Sequence, residues 1–525
     1  MRPVLLSIDV GTHSLRSAFV SLKGHILAHD EEPLLIWKTA NTMEFFSENI
    51  WEALVTCVNR LITEHPVNQT DVIAIGLDTT YSIVLLDQQM QPVLLPESHR
   101  ANTFGWMDSR ASQQAALLTK EYPGLFAHRG SEINAKSNAS KLLWLFQCAH
   151  GTWQNTACII DLYDYLTWKL TDCLTRTPTS TSGIFTKEAA SRLNIDIEDR
   201  FQGETLSIGS PIGNGLSQNV AGLLNLKAGT PVATGIIDAY GGTIATILAS
   251  DSHTNQLSLD CITQRISFVG GTSSNYVTFS RDALICNGAD GPYPSALNDY
   301  YLIYSRQTAA GALIDHIITS HPAYSSIYEI SVSLGISVYE YLNQILFELA
   351  GKNKTEYSED VSQLTANLHL LPYFDSTETD QPLHGMITGL TLDKSHQSLA
   401  ITYLATVQAL ALDARYRLEK LKKAGYHFQL LIPTGGLAKN PVLLTEHINI
   451  LNIPAAIPEE KEAMLLSGAI TGAVAAGIYE TIEDAMRAMS RYNSVIEPDK
   501  QLHGFYEMKY DTFLKMKTCQ KSWEK

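Results

Sequence analysis

The chain has 525 residues, 45% hydrophobic, 9% aromatic and 18% charged, a globular composition that excludes disordered and fibrous classes and suits two or three domains. Acidic residues (54) exceed basic ones (38) for a net charge of −16, and no basic run is longer than Lys422–Lys423, which argues against nucleic acid or an anionic membrane as partner. Seven widely spaced cysteines without a C-x-x-C pair fit reduced thiols better than a disulfide framework or a zinc site, so with no signal-peptide pattern at the start and no apolar run of ~18 residues the expected location is cytoplasmic and off the membrane.

In chain order, Val4–Val10 is an apolar strand, Gly11–Ser14 a turn, and Leu15–Leu22 an alternating strand that reverses at Lys23-Gly24 into His25–His29. Ser47 is placed to cap a helix whose apolar positions Ile50, Trp51, Leu54, Val55, Val58, Leu61 and Ile62 recur at helical spacing. Val72–Leu77 and Ile83–Leu86 read as strands around Asp78-Thr79-Thr80-Tyr81-Ser82, and Ala139–Leu170 as helix-rich. Val232–Ile237 reads as a β-branched strand broken at Asp238, ahead of Gly241-Gly242. The polar stretch at 250–256 marks a domain boundary, dividing the chain into residues 1–254, 255–490 and a polar tail, 491–525, packed on the domains. A long helix runs from about Ser398 to Ala424 with Lys420, Lys422 and Lys423 near its end and Gly425 beyond it. Gln429–Ile432 then leads through Thr434-Gly435-Gly436 to a helix starting at Pro441. Alternating strands and helices make this an α/β protein.

Gly11-Thr12-x-Ser14 and Gly271-Thr272-x-Ser274 sit at matching points of two hairpins 260 residues apart, which points to a duplicated domain. Such turns offer backbone N–H groups beside hydroxyls and can hold phosphate without a large positive charge. Each alone is also an ordinary turn; as a facing pair they suit the phosphates of a nucleotide. Asp9 ends the first strand as a turn former or, next to phosphate, as a carboxylate for Mg²⁺, with Arg16 placed to balance it. Asp238 either caps the following helix or accepts the proton of an attacking hydroxyl in phosphoryl transfer. Gly435, Gly436 and Asn440 form a strand-to-helix turn that would also serve as a flat floor for an aromatic base. Trp106, Asp108, Arg110 and Lys141 could hydrogen-bond a polyol. No Walker A sequence and no Gly-x-Gly-x-x-Gly is present, which excludes P-loop and Rossmann enzymes.

The ordered set Ile8-Asp9-Val10-Gly11-Thr12-x-Ser14-x-Arg16, Ile237-Asp238-Ala239, Gly270-Gly271-Thr272-Ser273-Ser274 and Gly435-Gly436-Leu437-x-Lys439-Asn440 resembles the FGGY carbohydrate kinases from residue 4 to about 510. Ser98-His99-Arg100, Trp106-Met107-Asp108-x-Arg110, Lys141-Leu142-Leu143-Trp144 and Gly291-Pro292-Tyr293 resemble the D-ribulokinase-type pentulose kinases among them. The resemblance implies two actin-like (ribonuclease H-like) domains with an interdomain cleft that binds ATP and sugar. It implies Mg²⁺- and ATP-dependent phosphorylation of a ketopentose at its terminal hydroxyl, with D-ribulose as the leading substrate. Asp238 would be the catalytic base. Gly11, Thr12, Ser14 and Arg16 would form the first phosphate loop, with Asp9 near the metal; Gly271, Thr272 and Ser273 would form the second. Gly435, Gly436 and Asn440 would line the adenosine pocket, while Thr80, Tyr81 and Asp108, with Asp238, would meet the sugar.

Two departures bear on the substrate. Lys136 and Asn138 stand ahead of Lys141 where the family usually has a small or aromatic residue and then Pro, Ser or Thr. Tyr304, Ser305 and Arg306 occupy a loop where relatives carry an acidic residue and a Gly pair before Gln307. Another pentulose, a pentitol, or a non-catalytic actin- or chaperone-like ATPase are the alternatives, and a homodimer is left open.

Overall fold

Two sheets, one in each half of the chain, repeat the same strand order. They are seen in a computed structural model that describes residues 3–523 apart from 97, 99, 123, 126–132, 182–186, 252–258, 298, 352–358 and 375–382. His99 and most of the boundary stretch at 250–256 therefore lie outside the described residues.

In the first half, β1 (Val4–Val10), β2 (Ser14–Ser21), β3 (Ile26–Pro33), β4 (Val72–Thr79) and β5 (Ile236–Ile237) form a five-stranded sheet ordered β5-β4-β1-β2-β3. β1 is buried along its whole length, which explains its unbroken apolar run: it lies between parallel β4 and antiparallel β2. The helix α1 (Ser47–Glu64) covers one face with Ile50, Leu54, Val58 and Leu61. Its extended capping residue is Phe46, one position before the expected Ser47. The Ser47 hydroxyl instead accepts from Asn102 Nδ2 at 3.0 Å.

Val232–Ile237 does not form the continuous strand its composition predicts. Val232 bridges to Ile75, whereas Ile236 pairs with Asp78. Four steps along one segment thus face three along the other, an extra residue that interrupts the ladder as a bulge does. Only Ile236–Ile237 remains strand, and α2 (Asp238–Ile244) begins at once. Ile83–Leu86 is a strand as predicted, in a separate antiparallel sheet with Thr103–Phe104 and Cys158–Asp161.

The second half holds β6 (Ser250–Asp251), β7 (Arg265–Gly270), β8 (Ser274–Ser280), β9 (Asp290–Pro294), β10 (Tyr301–Gln307), β11 (Leu430–Thr434), β12 (Ala455–Pro458) and β13 (Arg491–Ile496). Their order is β6-β13-β12-β11-β7-β8-β10-β9. Within it, β12-β11-β7-β8-β10 reproduces β5-β4-β1-β2-β3, with parallel pairs on one side of β7 and antiparallel pairs on the other. The repeat suspected from two short turns thus extends over five strands in each half. Tyr304, Ser305 and Arg306, expected in a loop, belong to strand β10, where buried Ser305 and Gln307 alternate with half-buried Tyr304 and Arg306.

The long helix α3 (His396–Lys423) lies within a turn of its predicted bounds, with Ser395 capping Ser398 and Gly425 at φ +104° just past its end. The next helix, α4 (Pro441–Leu451), has its proline at the first position. Residues 491–523 are more than a tail. They give strand β13 and a long helix, α6 (His503–Trp523), which buries Tyr506, Tyr510, Phe513 and Met516.

Helix α5 (Ala463–Ala475) joins the halves. Leu465, Ala469, Ile470 and Ala473 share one core with Leu5 and Ala74 of the first sheet and Val277, Ile432 and Ala456 of the second. Contact with β4 is so close that a Cβ on Gly76 would lie 2.0 Å from the Gly468 carbonyl oxygen. Among the described residues all six cysteines whose side chains are placed are free, and no helix is long and apolar enough to cross a membrane.

Candidate active site

Parallel register brings three aspartates to neighbouring strand ends. Asp9 on β1 pairs with Asp78 on β4, Asp78 pairs with Ile236 on β5, and Asp238 follows two residues later. The carboxyl ends of parallel strands are where open α/β sheets bind ligands.

Asp238 is half-buried in the wall of a cavity of ≈ 380 Å³. Thr12, Ser14 and Arg16 from the β1–β2 hairpin line the same cavity, as do Gly271, Thr272 and Ser273 from the β7–β8 hairpin and Gly435 and Gly436 beyond β11. The two repeated turns therefore face one another across a shared space that reaches Asp238. Each is closed by its own backbone: Gly11 N–H donates to Ser14 O at 2.9 Å and Gly271 N–H to Ser273 O at 2.8 Å. Trp106 Nε1 donates to Thr12 Oγ1 at 3.0 Å, so that indole braces the first turn.

Gly435 has φ +85°, and a Cβ there would meet the Gly270 carbonyl oxygen at 2.3 Å. Only glycine lets β11 turn so close to β7. Gly436 has nothing within 4 Å of a Cβ position, so it leaves open space. That space continues into a second cavity of ≈ 730 Å³ that shares Gly271, Thr272, Gly436 and Lys439 with the first and is also lined by Tyr339, Asn343 and Asn440. Asn440 is occupied as the cap of α4: its Oδ1 accepts from Val442 and Leu443 N–H. Its Nδ2 donates to Tyr403 Oη at 2.7 Å.

The carboxyl of Asp238 accepts from Ala239 N–H at 2.6 Å. Burial, and next the charge of Asp9, push it up to about 7, against the pull of that N–H and of Arg306. Asp9 itself is buried and accepts from Arg16 Nε at 2.9 Å. Arg16 also pairs with Glu462 at 2.6 Å, and Glu462 with Lys439. An ionic chain Asp9–Arg16–Glu462–Lys439 thus crosses from one half of the molecule to the other at the cavity mouth.

Not every expected residue reaches the cavity. Tyr81 and Trp106 line it. Thr80 is buried with its hydroxyl on Ser82 Oγ at 3.2 Å. Asp108 is fully buried; it holds Arg110 in an ion pair at 2.7 Å and accepts from Met43 N–H. Lys141 is buried too and donates to Gly105 O at 2.9 Å, its amine brought down to about 7 chiefly by burial.

Asp78 was not singled out in the sequence. Ser467 Oγ on α5 donates to its Oδ2 at 2.5 Å, while Oδ1 is buried without a hydrogen-bond partner. Burial and the neighbouring charge of Asp9 raise its pKa. An orphaned carboxylate oxygen beside Asp9 fits a hard divalent cation. Among the described residues no group of three or more His, Cys, Asp or Glu makes a metal cage, and Mg²⁺ is commonly held by one or two carboxylates with substrate phosphates and water.

The chain is similar to known proteins along most of its length. Residues 4–193 match the model of the "FGGY family of carbohydrate kinases, N-terminal domain" and residues 266–476 that of its C-terminal domain. An FGGY carbohydrate kinase domain-containing protein of Xenopus laevis is 33% identical over 542 aligned positions, covering 99% of this chain and 97% of the relative. A D-ribulokinase of Saccharomyces cerevisiae is 26% identical, covering 90% of this chain and 71% of the relative. A ligand-bound xylulose kinase from Lactobacillus acidophilus superimposes with TM-score 0.77 at 16% identity, over 98% of each chain. That likeness shows the two-domain fold.

Proposed function

We propose that this chain, which belongs to the FGGY family of carbohydrate kinases and is an ATP-dependent sugar kinase, acts on a ketopentose, with D-ribulose the leading substrate and its terminal hydroxyl the site of phosphorylation. The observation that carries the reading is the single cavity shared by Thr12, Thr272 and Asp238. A D-ribulokinase among the relatives supports the choice of pentulose.

In this reading the paired turns cradle the triphosphate with backbone N–H groups and hydroxyls, and the second cavity takes the nucleoside. Asp238 accepts the proton of the acceptor hydroxyl as it attacks the terminal phosphorus. Phosphoryl transfer needs little covalent help from the protein beyond positioning and charge stabilisation. Mg²⁺ arriving with the triphosphate would be held near Asp9 and Asp78 and would neutralise charge on the phosphates. The free cysteines favour work in a reducing compartment such as the cytoplasm.

ADP release measured against a panel of ketopentoses and pentitols tests the assignment. Turnover is expected to depend on the acceptor and to be highest with D-ribulose. ATP hydrolysis indifferent to every sugar would favour a conformational ATPase instead.

The rate should also follow the charge on Asp238. A base works only as carboxylate, and its pKa is raised to about 7. Below that pH the protonated fraction grows, so kcat is expected to fall about tenfold per pH unit and to level off above it. A pH profile of kcat at saturating ATP and sugar checks this; a flat profile through neutrality would show that the raised pKa does not persist once nucleotide and sugar are bound.

A further inference from the structure

The acceptor side of the cavity carries a fixed guanidinium. Strand β10 turns Tyr304 and Arg306 to one face, and both line the cavity with Tyr81, Trp106 and Asp238. Arg306 Nη2 donates to Asp290 Oδ2 at 3.0 Å, and its guanidinium carbon lies 5.4 Å from the centre of the Tyr304 ring. A carboxylate and an aromatic face together hold the planar fork in one orientation. The side chain is only 22% exposed, so its hydrogen bonds are made largely out of competition with water. Asp290 is set by its neighbour: a Cβ on Gly291 would lie 2.7 Å from the Leu302 carbonyl oxygen, so β9 packs backbone to backbone on β10.

A guanidinium donates and never accepts. It matches an acceptor that presents lone pairs without a competing hydrogen.

We propose that Arg306 is a specificity-determining residue that donates to an sp² oxygen of the acceptor, either a keto carbonyl or a carboxylate. The first source rests on the ketopentose reading above; the second would make the substrate an aldonate. An alcohol in the same place is the weaker partner, because its own hydrogen must be turned away and housed elsewhere. Asp290 is the positioning residue that keeps the fork aimed.

The test uses the full chain and measures ADP release with D-ribulose, D-ribonate and ribitol, for the wild type, Arg306→Met and Arg306→Lys. The wild type is expected to prefer one of the two sp² acceptors over ribitol. In Arg306→Met the ratio of kcat/KM for that acceptor over ribitol should drop about 10- to 100-fold, the usual weight of a hydrogen bond to a charged donor. Arg306→Lys should fall between, and KM for ATP should not change. Asp290→Asn should raise KM for the preferred acceptor while sparing kcat. Ribonate preferred by the wild type and lost in Arg306→Met would uphold the role of Arg306 and overturn the ketopentose reading. D-Ribulose preferred with a ratio unmoved in both variants would do the reverse. Equal loss on all three acceptors, or a wild type that prefers ribitol, would overturn the proposal.

Discussion

Asp238→Asn is expected to lower kcat at least ~100-fold, the lower end of what general-base catalysis contributes, without weakening ATP binding. The exchange keeps size and shape, and the amide oxygen can still accept from Ala239 N–H, which now meets the carboxylate at 2.6 Å. What is lost is a group able to take the acceptor's proton. The turns carrying Thr12 and Thr272 approach the cavity from other strands and should be undisturbed. Single-turnover ADP formation alongside equilibrium nucleotide binding separates the two effects. Near-normal turnover would take Asp238 out of the mechanism; lost nucleotide affinity would make it a structural residue.

The largest effect on stability is expected at Gly76. A methyl group there would sit 2.0 Å from the Gly468 carbonyl oxygen and 2.6 Å from Thr471 Oγ1. The first obstacle is backbone, so relief requires β4 and α5 to move apart and open the core that both halves share. Overpacking of this kind costs about 1–3 kcal/mol, and more where the backbone cannot yield. Gly76→Ala should therefore lower the midpoint of thermal or urea unfolding clearly. Gly472→Ala, where the new carbon would stand 3.4 Å from Gly76 N, should be neutral or stabilising, since alanine is the better helix former. Equal behaviour of the two variants would show that the strand–helix contact is looser than the structure has it.

Local pattern carried much of this fold into the sequence. β1 and β4 could be read because strands buried on both faces become apolar runs, and the bounds of α3 because its caps and terminal lysines mark them. β5 could not, since Thr234-Gly235 leaves no trace of the extra residue that breaks its ladder. The helical spacing of Tyr506, Tyr510, Phe513 and Met516 was available and would have identified α6. Site residues divide in the same way. Thr12, Thr272 and Asp238 stand in short motifs at strand ends. Asp78 gains its meaning from Ser467, 389 residues away, and Arg16 from Glu462, 446 residues away. Asp108 looked available to sugar, whereas its carboxylate is spent on Arg110 and Met43 N–H.

Glu462 is the resident counterion of both Arg16 and Lys439. Any polyanion that enters between the two hairpin turns must compete with it, trading one negative neighbour for another instead of meeting bare cations. Such an exchange returns less free energy than filling an uncompensated site, and in the proposed reading it would shorten the stay of the nucleoside diphosphate product. Because the pairs are partly exposed, dissolved salt loosens them as well, so ionic strength acts on the grip between the lobes.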